Sequence, residues 1–260
     1  MTRLAVAATA PFGADVLERL AERHDVAALL TRPDAAAGRG RRLTPPPAKV
    51  VAERLGIPVL QPERPEHPGT DVVVVAAYGL LIPESLLADG LWLNVHPSLL
   101  PRWRGAAPVE RALLAGDTET GVTIHETVKE LDAGPIAAQR AFPIEPEDDA
   151  GTVFEHAAEL AVELLDEALP EPSFRPQEGE PTYAPKITAA DRELDWSEPP
   201  NQLLNRIRAL SPHIGARGEL HGRRVTIWRA RVEDGRLVPV EVQPDGRRRM
   251  SYDEFLRGLR

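Results

Sequence analysis

Asp71-Val72-Val73-Val74-Val75-Ala76-Ala77 is the stretch that decides the fold. Four valines in a row leave no polar face, the pattern of a central strand in a parallel sheet covered on both sides. Working outward, short apolar runs alternate with helical patterns. Before the valines, residues 4–8, 26–30 and 57–60 read as strands, and residues 14–23 and 48–55 as amphipathic helices. After them, residues 92–96, 122–126 and 136–140 read as strands and residues 107–114 and 152–169 as helices. Pro108 near a helix start and Gly116 after its end bracket one of these helices. The alternation predicts an α/β domain with a doubly wound, mostly parallel sheet.

The strand after the valines runs into Leu93-Asn94-Val95-His96-Pro97-Ser98-Leu99-Leu100-Pro101. Residues two apart on a strand share a face, so Asn94 and His96 project side by side. Proline then ends the strand, which puts the pair at its C-terminal end, where open α/β sheets bind ligands. An amide donor beside an imidazole suits attack on a carbonyl-type carbon, one group stabilising an oxyanion and the other moving protons. The same residues also suit an amide that holds a turn and a satisfied core histidine. A proton-moving histidine needs a partner. Asp132, in Glu130-Leu131-Asp132-Ala133-Gly134-Pro135, is the best-placed carboxylate, although Asp-x-Gly-Pro is also a turn former. Spacing does not choose between these roles.

The 260 residues suffice for one large and one small domain. There is no cysteine, which excludes a disulfide framework and a thiolate metal site. No run approaches the roughly 20 apolar residues that span a membrane. Residues 4–10 resemble a signal peptide only faintly and read better as a buried first strand. A cytoplasmic, monomeric protein is expected.

The net charge of −9 is unevenly spread. Residues 201–260 carry 13 Arg, no Lys and 7 acidic residues, a net of +6, which leaves −15 on residues 1–200. A basic tail on an acidic body points to nucleic acid. With 28 Arg against 3 Lys, arginine is also simply the preferred base of this chain. Five prolines between residues 170 and 186 break the alternation, so a catalytic domain over 1–170, a linker over 171–200 and a small β-rich domain over 201–260 are expected. In that last part a short helix, residues 202–209, precedes strands at 219–220, 225–232 and 237–242. His221-Gly222 and Asp234-Gly235 stand at hairpin positions, and Ser251 with Glu254 forms a capping-box pattern before a last helix, 251–259.

The residues from Asn94 to Pro108, Asn94-Val95-His96-Pro97-Ser98-Leu99-Leu100-Pro101-Arg102-Trp103-Arg104-Gly105-Ala106-Ala107-Pro108, resemble the signature of folate-dependent formyltransferases. The resemblance continues through Val75-Ala76-Ala77-Tyr78-Gly79-Leu80-Leu81-Ile82-Pro83, Ala115 to Ile124, Leu131-Asp132-Ala133-Gly134-Pro135 and Thr182-Tyr183-Ala184-Pro185-Lys186. It implies formyl transfer from 10-formyltetrahydrofolate to an amine, without a metal. Asn94, His96 and Asp132 match the family's catalytic trio. The amide of Asn94 and a protonated His96 would stabilise the oxyanion, and Asp132 would orient His96 and relay the amine's proton. Tyr78, Gly79, Leu80, Ile82, Ser98, Leu99, Leu100, Pro101, Leu131 and Gly134 are the implied folate contacts, with Ser98 as loop support and not a nucleophile. The family's Gly-Thr-Pro-Asp-Phe turn is replaced here by Ala8-Thr9-Ala10-Pro11-Phe12.

The acceptor is expected from Arg32-Pro33-Asp34-Ala35-Ala36-Ala37-Gly38-Arg39-Gly40-Arg41-Arg42-Leu43-Thr44-Pro45-Pro46-Pro47, read as a long loop without structure of its own. Arg39, Arg41 and Arg42 form a basic finger able to follow a phosphate backbone. It resembles the loop of those members that formylate methionyl initiator tRNA. A second reading takes an amino-sugar nucleotide or a purine precursor as acceptor, which suits a tail shortened between Val232 and Leu237 but not the basic loop. A third is a non-catalytic RNA- or folate-binding descendant.

Overall fold

The computed structural model describes residues 2–37 and 42–259. In chain order the elements are β1 (Arg3–Ala8), α1 (Pro11–Ala21), β2 (Asp25–Leu30), β3 (Ala35–Ala37), β4 (Arg42–Thr44), α2 (Pro47–Leu55), β5 (Val59–Leu60), β6 (Val72–Ala76), α3 (Glu84–Leu87) and β7 (Leu91–His96). Then follow β8 (Arg104–Gly105), α4 (Pro108–Ala115), β9 (Glu119–Glu126), β10 (Ile136–Pro143), α5 (Ala150–Ala168) and β11 (Tyr183–Ala184). After a 3-10 turn at Ala190–Arg192 come α6 (Pro200–Leu210), β12 (Ala216–Leu220), β13 (Arg223–Glu233), β14 (Arg236–Pro244), β15 (Met250–Ser251) and α7 (Tyr252–Arg257).

The main sheet has seven strands in the order β10-β9-β7-β6-β1-β2-β5. Strands β7, β6, β1, β2 and β5 run parallel, with Val73 to Val75 of β6 facing Ala5 to Ala7 of β1 and Trp92 to Asn94 of β7. Val73, Val74 and Val75 are buried, as the lack of a polar face requires. Strand β9 then reverses, pairing antiparallel with β7. Helices α1, α2 and α4 each begin with proline in their first turn, and Gly56 and Gly116 close α2 and α4 in the left-handed conformation.

The segment read as a loop without structure is instead a hairpin on both sides of its undescribed tip, with Ala35, Ala36 and Ala37 paired to Thr44, Leu43 and Arg42. Three alanines and a mixed basic run carry no period-2 alternation, so the pairing left no mark in the pattern. Asp34 at its base accepts hydrogen bonds from Lys49 Nζ at 2.8 Å and Gln61 Nε2 at 2.9 Å. These bonds hold its carboxyl below the usual range, the Lys49 bond most of all.

The chain divides into two units. The first contains Met1–Arg104, Gly121–Ala141 and Glu155–Thr182, and so most of the seven-stranded sheet. The second contains Gly105–Thr120, Phe142–Phe154 and Tyr183–Arg260. In the second unit Val109 and Leu113 of α4 pack with Ile144, Ala150, Val153 and Ala209 of α6. Its four-stranded antiparallel sheet has the order β12-β13-β14-β15, one strand more than the three expected. Leu203, Ile207 and Leu210 of α6 and Phe255 of α7 cover its apolar side beside Val225, Ile227 and Val242. Both expected turns are tight hairpins: His221-Gly222 and Asp234-Gly235 have φ of 52°, 73°, 48° and 71°, the geometry of two-residue turns with both residues left-handed. Ser251 caps α7 by accepting from the Glu254 amide at 3.2 Å. The other half of the capping box is missing, because the Glu254 carboxylate takes Arg248 instead.

Candidate active site

Asn94 and His96 occupy the C-terminal half of β7, and their cross-strand partners on β9 are His125 and Thr123. Asp132 follows β9 in a turn, at φ 50°, a left-handed value that aspartate tolerates better than most residues. The three residues of the expected trio converge. Asn94 Nδ2 lies 3.3 Å from Asp132 Oδ1, and His96 Nδ1 lies 3.7 Å from Asp132 Oδ2. The His96 ring is only 4% exposed. Its Nε2 donates to the Trp103 carbonyl at 2.9 Å, so Nδ1 is the nitrogen turned toward Asp132. At 3.7 Å that pair is too long for a direct hydrogen bond. A reacting oxygen or nitrogen to one side of the pair can reach both imidazole and carboxylate.

The turn carrying Asp132 is held from residues that sequence reading missed. Gln177 Nε2 donates to the carbonyls of Asp132 and Gly134 at 2.8 and 2.9 Å. Its Oε1 accepts from Arg104 Nη2 at 2.7 Å. Gly134 is required there, since a Cβ would lie 1.8 Å from the Glu126 carbonyl oxygen. On the other side, buried Thr123 donates to Ser98 O at 2.7 Å and accepts from Leu100 N at 3.1 Å. Ser98 Oγ donates to Arg102 O at 2.6 Å, and its side chain is completely buried, in keeping with loop support.

His125 is the other residue that sequence reading passed over. It is 1% exposed. Nδ1 lies 2.8 Å from the Glu126 carbonyl and Nε2 lies 3.0 Å from Asn94 Nδ2. Burial, and next the charge of His96, push its pKa down to about 4. The available signal was the alternation Thr123, His125 on a strand antiparallel to Asn94 and His96, but the register had to be known to use it.

Of the implied folate contacts, Tyr78 and Ile82 are buried beside Val75 and Trp92, and Leu100 is buried too. Tyr78 Oη is buried without a hydrogen-bond partner among the described residues, and burial raises its pKa. Leu81 and Leu131 are 79% and 64% exposed. Gly79 has φ 77°, Leu80, Leu99 and Pro101 are half-buried, and Gly134 closes the Asp132 turn. Of the basic finger, Arg42 is exposed on β4, while Arg39 and Arg41 lie outside the described residues. Among the described residues no cluster of His, Cys, Asp or Glu is placed to hold a metal ion, and no helix is long and apolar enough to cross a membrane.

Comparison with known proteins agrees with this geometry. Residues 2–169 match the family described as formyl transferase, and residues 186–237 match the formyl transferase C-terminal domain. A methionyl-tRNA formyltransferase of Listeria monocytogenes is 38% identical over 299 aligned positions, covering 99% of this chain and 96% of the relative. The structure of the methionyl-tRNA formyltransferase from Clostridium thermocellum superposes with a TM-score of 0.68 at 15% identity, covering 94% of this chain and 99% of the other. That of HypX from Aquifex aeolicus in complex with tetrahydrofolic acid superposes with a TM-score of 0.68 at 19% identity, covering 98% of this chain and 46% of the other. The strand-end trio, the strapped Asp132 turn and a family match over most of the length lead to one conclusion: the chain belongs to the formyl transferase family.

Proposed function

We propose that this protein transfers the formyl group of 10-formyltetrahydrofolate to the amino group of methionyl initiator tRNA. The observation that carries the reading is the convergence of Asn94, His96 and Asp132 at the end of β7, in a chain 38% identical along its length to a methionyl-tRNA formyltransferase. The folate supplies an activated formyl carbon. As the amine attacks that carbon, negative charge grows on the formyl oxygen, and a proton on His96 Nδ1 neutralises it. Asp132 takes the proton that the amine loses, with the carboxylate held in place by the Gln177 strap. The new C–N bond forms and the bond from carbon to the donor nitrogen breaks; the formyl oxygen gives its proton back to His96 as the carbonyl re-forms, and the leaving nitrogen takes the proton that Asp132 received from the amine.

The acceptor half of the reading is supported by the basic hairpin β3–β4 and by the exposed Arg217, Arg223, Arg229 and Arg236 of the tail sheet. Phosphate contacts from arginines make binding steeply salt-dependent. The test is formylation by the purified full chain, with methionyl initiator tRNA and an amino-sugar nucleotide offered in parallel. The tRNA is expected to be formylated, and replacing Arg39, Arg41 and Arg42 by Ala is expected to raise the KM for tRNA at least tenfold and flatten its salt dependence. Transfer to the amino sugar alone overturns the tRNA assignment, and an unchanged KM for tRNA overturns the part given to Arg39, Arg41 and Arg42.

A further inference from the structure

Proton transfer at His96 depends on which ring nitrogen holds the fixed hydrogen, and one peptide group decides that. The Trp103 carbonyl can only accept, so His96 Nε2, 2.9 Å away, carries a hydrogen whether the ring is neutral or charged. Nδ1, turned toward Asp132, is then the nitrogen that gains and loses a proton. The residue that supplies this carbonyl is under constraint: Trp103 has φ 65°, a left-handed value that a bulky side chain adopts only where its surroundings impose it. Thr182 imposes it. Its Oγ1 accepts from the Trp103 amide at 2.9 Å and its carbonyl accepts from the Arg104 amide at 2.9 Å, so both peptides that flank Trp103 are tied to one residue. The Thr182 amide in turn donates to the Pro101 carbonyl at 3.2 Å. Thr182 belongs to the stretch read from the sequence as a linker and lies between the two matched domains, outside both.

We propose that Thr182 is a positioning residue for formyl transfer: by accepting from the Trp103 amide it holds the Trp103 carbonyl on His96 Nε2, and so keeps Nδ1 as the nitrogen that moves the proton. This rests on the formyl-transfer reading of the site. Without the Oγ1 bond, Trp103 relaxes toward negative φ and the peptide between Trp103 and Arg104 turns with it. The carbonyl then leaves Nε2, and a hydrogen there has no acceptor on a ring that is 4% exposed. The ring keeps a single hydrogen, on Nδ1 facing the Asp132 carboxylate, and has none to give to the formyl oxygen. Thr182 acts on His96 through the Trp103 peptide, and it is the hydroxyl oxygen, an acceptor that a methyl group does not replace, that does so.

Nitrogen shifts of the His96 imidazole and steady-state formylation test this together. In the wild-type protein the neutral ring should show a hydrogen on Nε2 and a bare Nδ1. In Thr182→Val, which keeps the shape of the side chain and removes its oxygen, that hydrogen should move to Nδ1 in a large part of the molecules. The same variant should lose about tenfold in kcat with the KM for folate within about twofold. Thr182→Ser, which returns the hydroxyl, should recover the wild-type tautomer and a kcat within about twofold of the wild type. A bare Nε2 in the wild type, a fall in kcat with the tautomer unchanged, or an unchanged kcat in Thr182→Val overturns the inference while leaving formyl transfer standing. Should Thr182→Val not fold, Thr182→Ala carries the same expectations; failure of both to fold makes Thr182 a folding element and also overturns the inference. A folded wild type that formylates no amine removes the formyl-transfer reading, and the nitrogen shifts still decide whether Thr182 sets the His96 tautomer.

Discussion

His125 shows how far one buried side chain reaches. It joins the Glu126 backbone to the Asn94 amide, and its low pKa makes it a stability element as well. The folded value of about 4 lies below the usual histidine value of about 6.5, so between those pH values the unfolded chain holds the proton and the folded chain does not. Stability from this residue is therefore complete above about pH 6.5 and is lost as the pH falls toward 4, by an amount on the order of 3 kcal/mol. Melting temperatures recorded from pH 7 to 4 should fall less steeply in His125→Gln than in the wild type; parallel curves would contradict the shift. Asn94 and His96 were readable from the chain because period-2 spacing and a following proline are local signals. His125 and Gln177 were not, because their roles depend on an antiparallel register and on a contact spanning 45 residues from Asp132.

At the scale of elements, turn chemistry was readable and weak alternation was not. Asp234-Gly235 and His221-Gly222 announce their hairpins through residues that accept a left-handed backbone. The β3–β4 hairpin has glycines, Gly38 and Gly40, between its strands but no alternation in the strands themselves, and its base is fixed by Asp34 with Lys49 and Gln61, from α2 and the stretch after β5. The Asp132 turn is likewise anchored from outside itself, by Gln177 in a proline-rich stretch that reads as a linker. Removing that anchor should loosen the turn without unfolding the sheet. Gln177→Ala is expected to lower kcat for formylation about tenfold, as misplacement of a catalytic group does, while far-ultraviolet circular dichroism stays unchanged. Wild-type kcat in that variant would show that the turn keeps its shape without the strap.

At the scale of the whole molecule, the order of residues along the chain and their grouping in space diverge. Helix α4 lies in the stretch matched by the first formyl transferase domain, yet its Val109 and Leu113 pack with Ala209 in the second unit. Periodicity identifies α4 as a helix with one apolar face, but not which core that face joins. Leu113 is 1% exposed, and Leu113→Ala should cost about 2–5 kcal/mol through lost contacts and an unfilled cavity. Chemical denaturation followed by tryptophan fluorescence, in a background where Trp228 is the one tryptophan left, would measure it. A cost below about 1 kcal/mol would mean that the site collapses around the smaller residue.

The strand order of the main sheet also sets a timetable for synthesis. Strand β1 leaves the ribosome before β2 and β6 but lies between them, so one of its edges waits for residues 72–76. The partners of Asn94 arrive later still with β9 and the Asp132 turn, and Gln177 closes that turn only once residue 177 has emerged. A nascent chain halted before residues 72–76 holds an exposed sheet edge, and one halted before residue 177 holds an unbraced turn; exposed edges of this kind engage chaperones or mispair. The site at the end of β7 is thus among the last parts of the first unit to be completed.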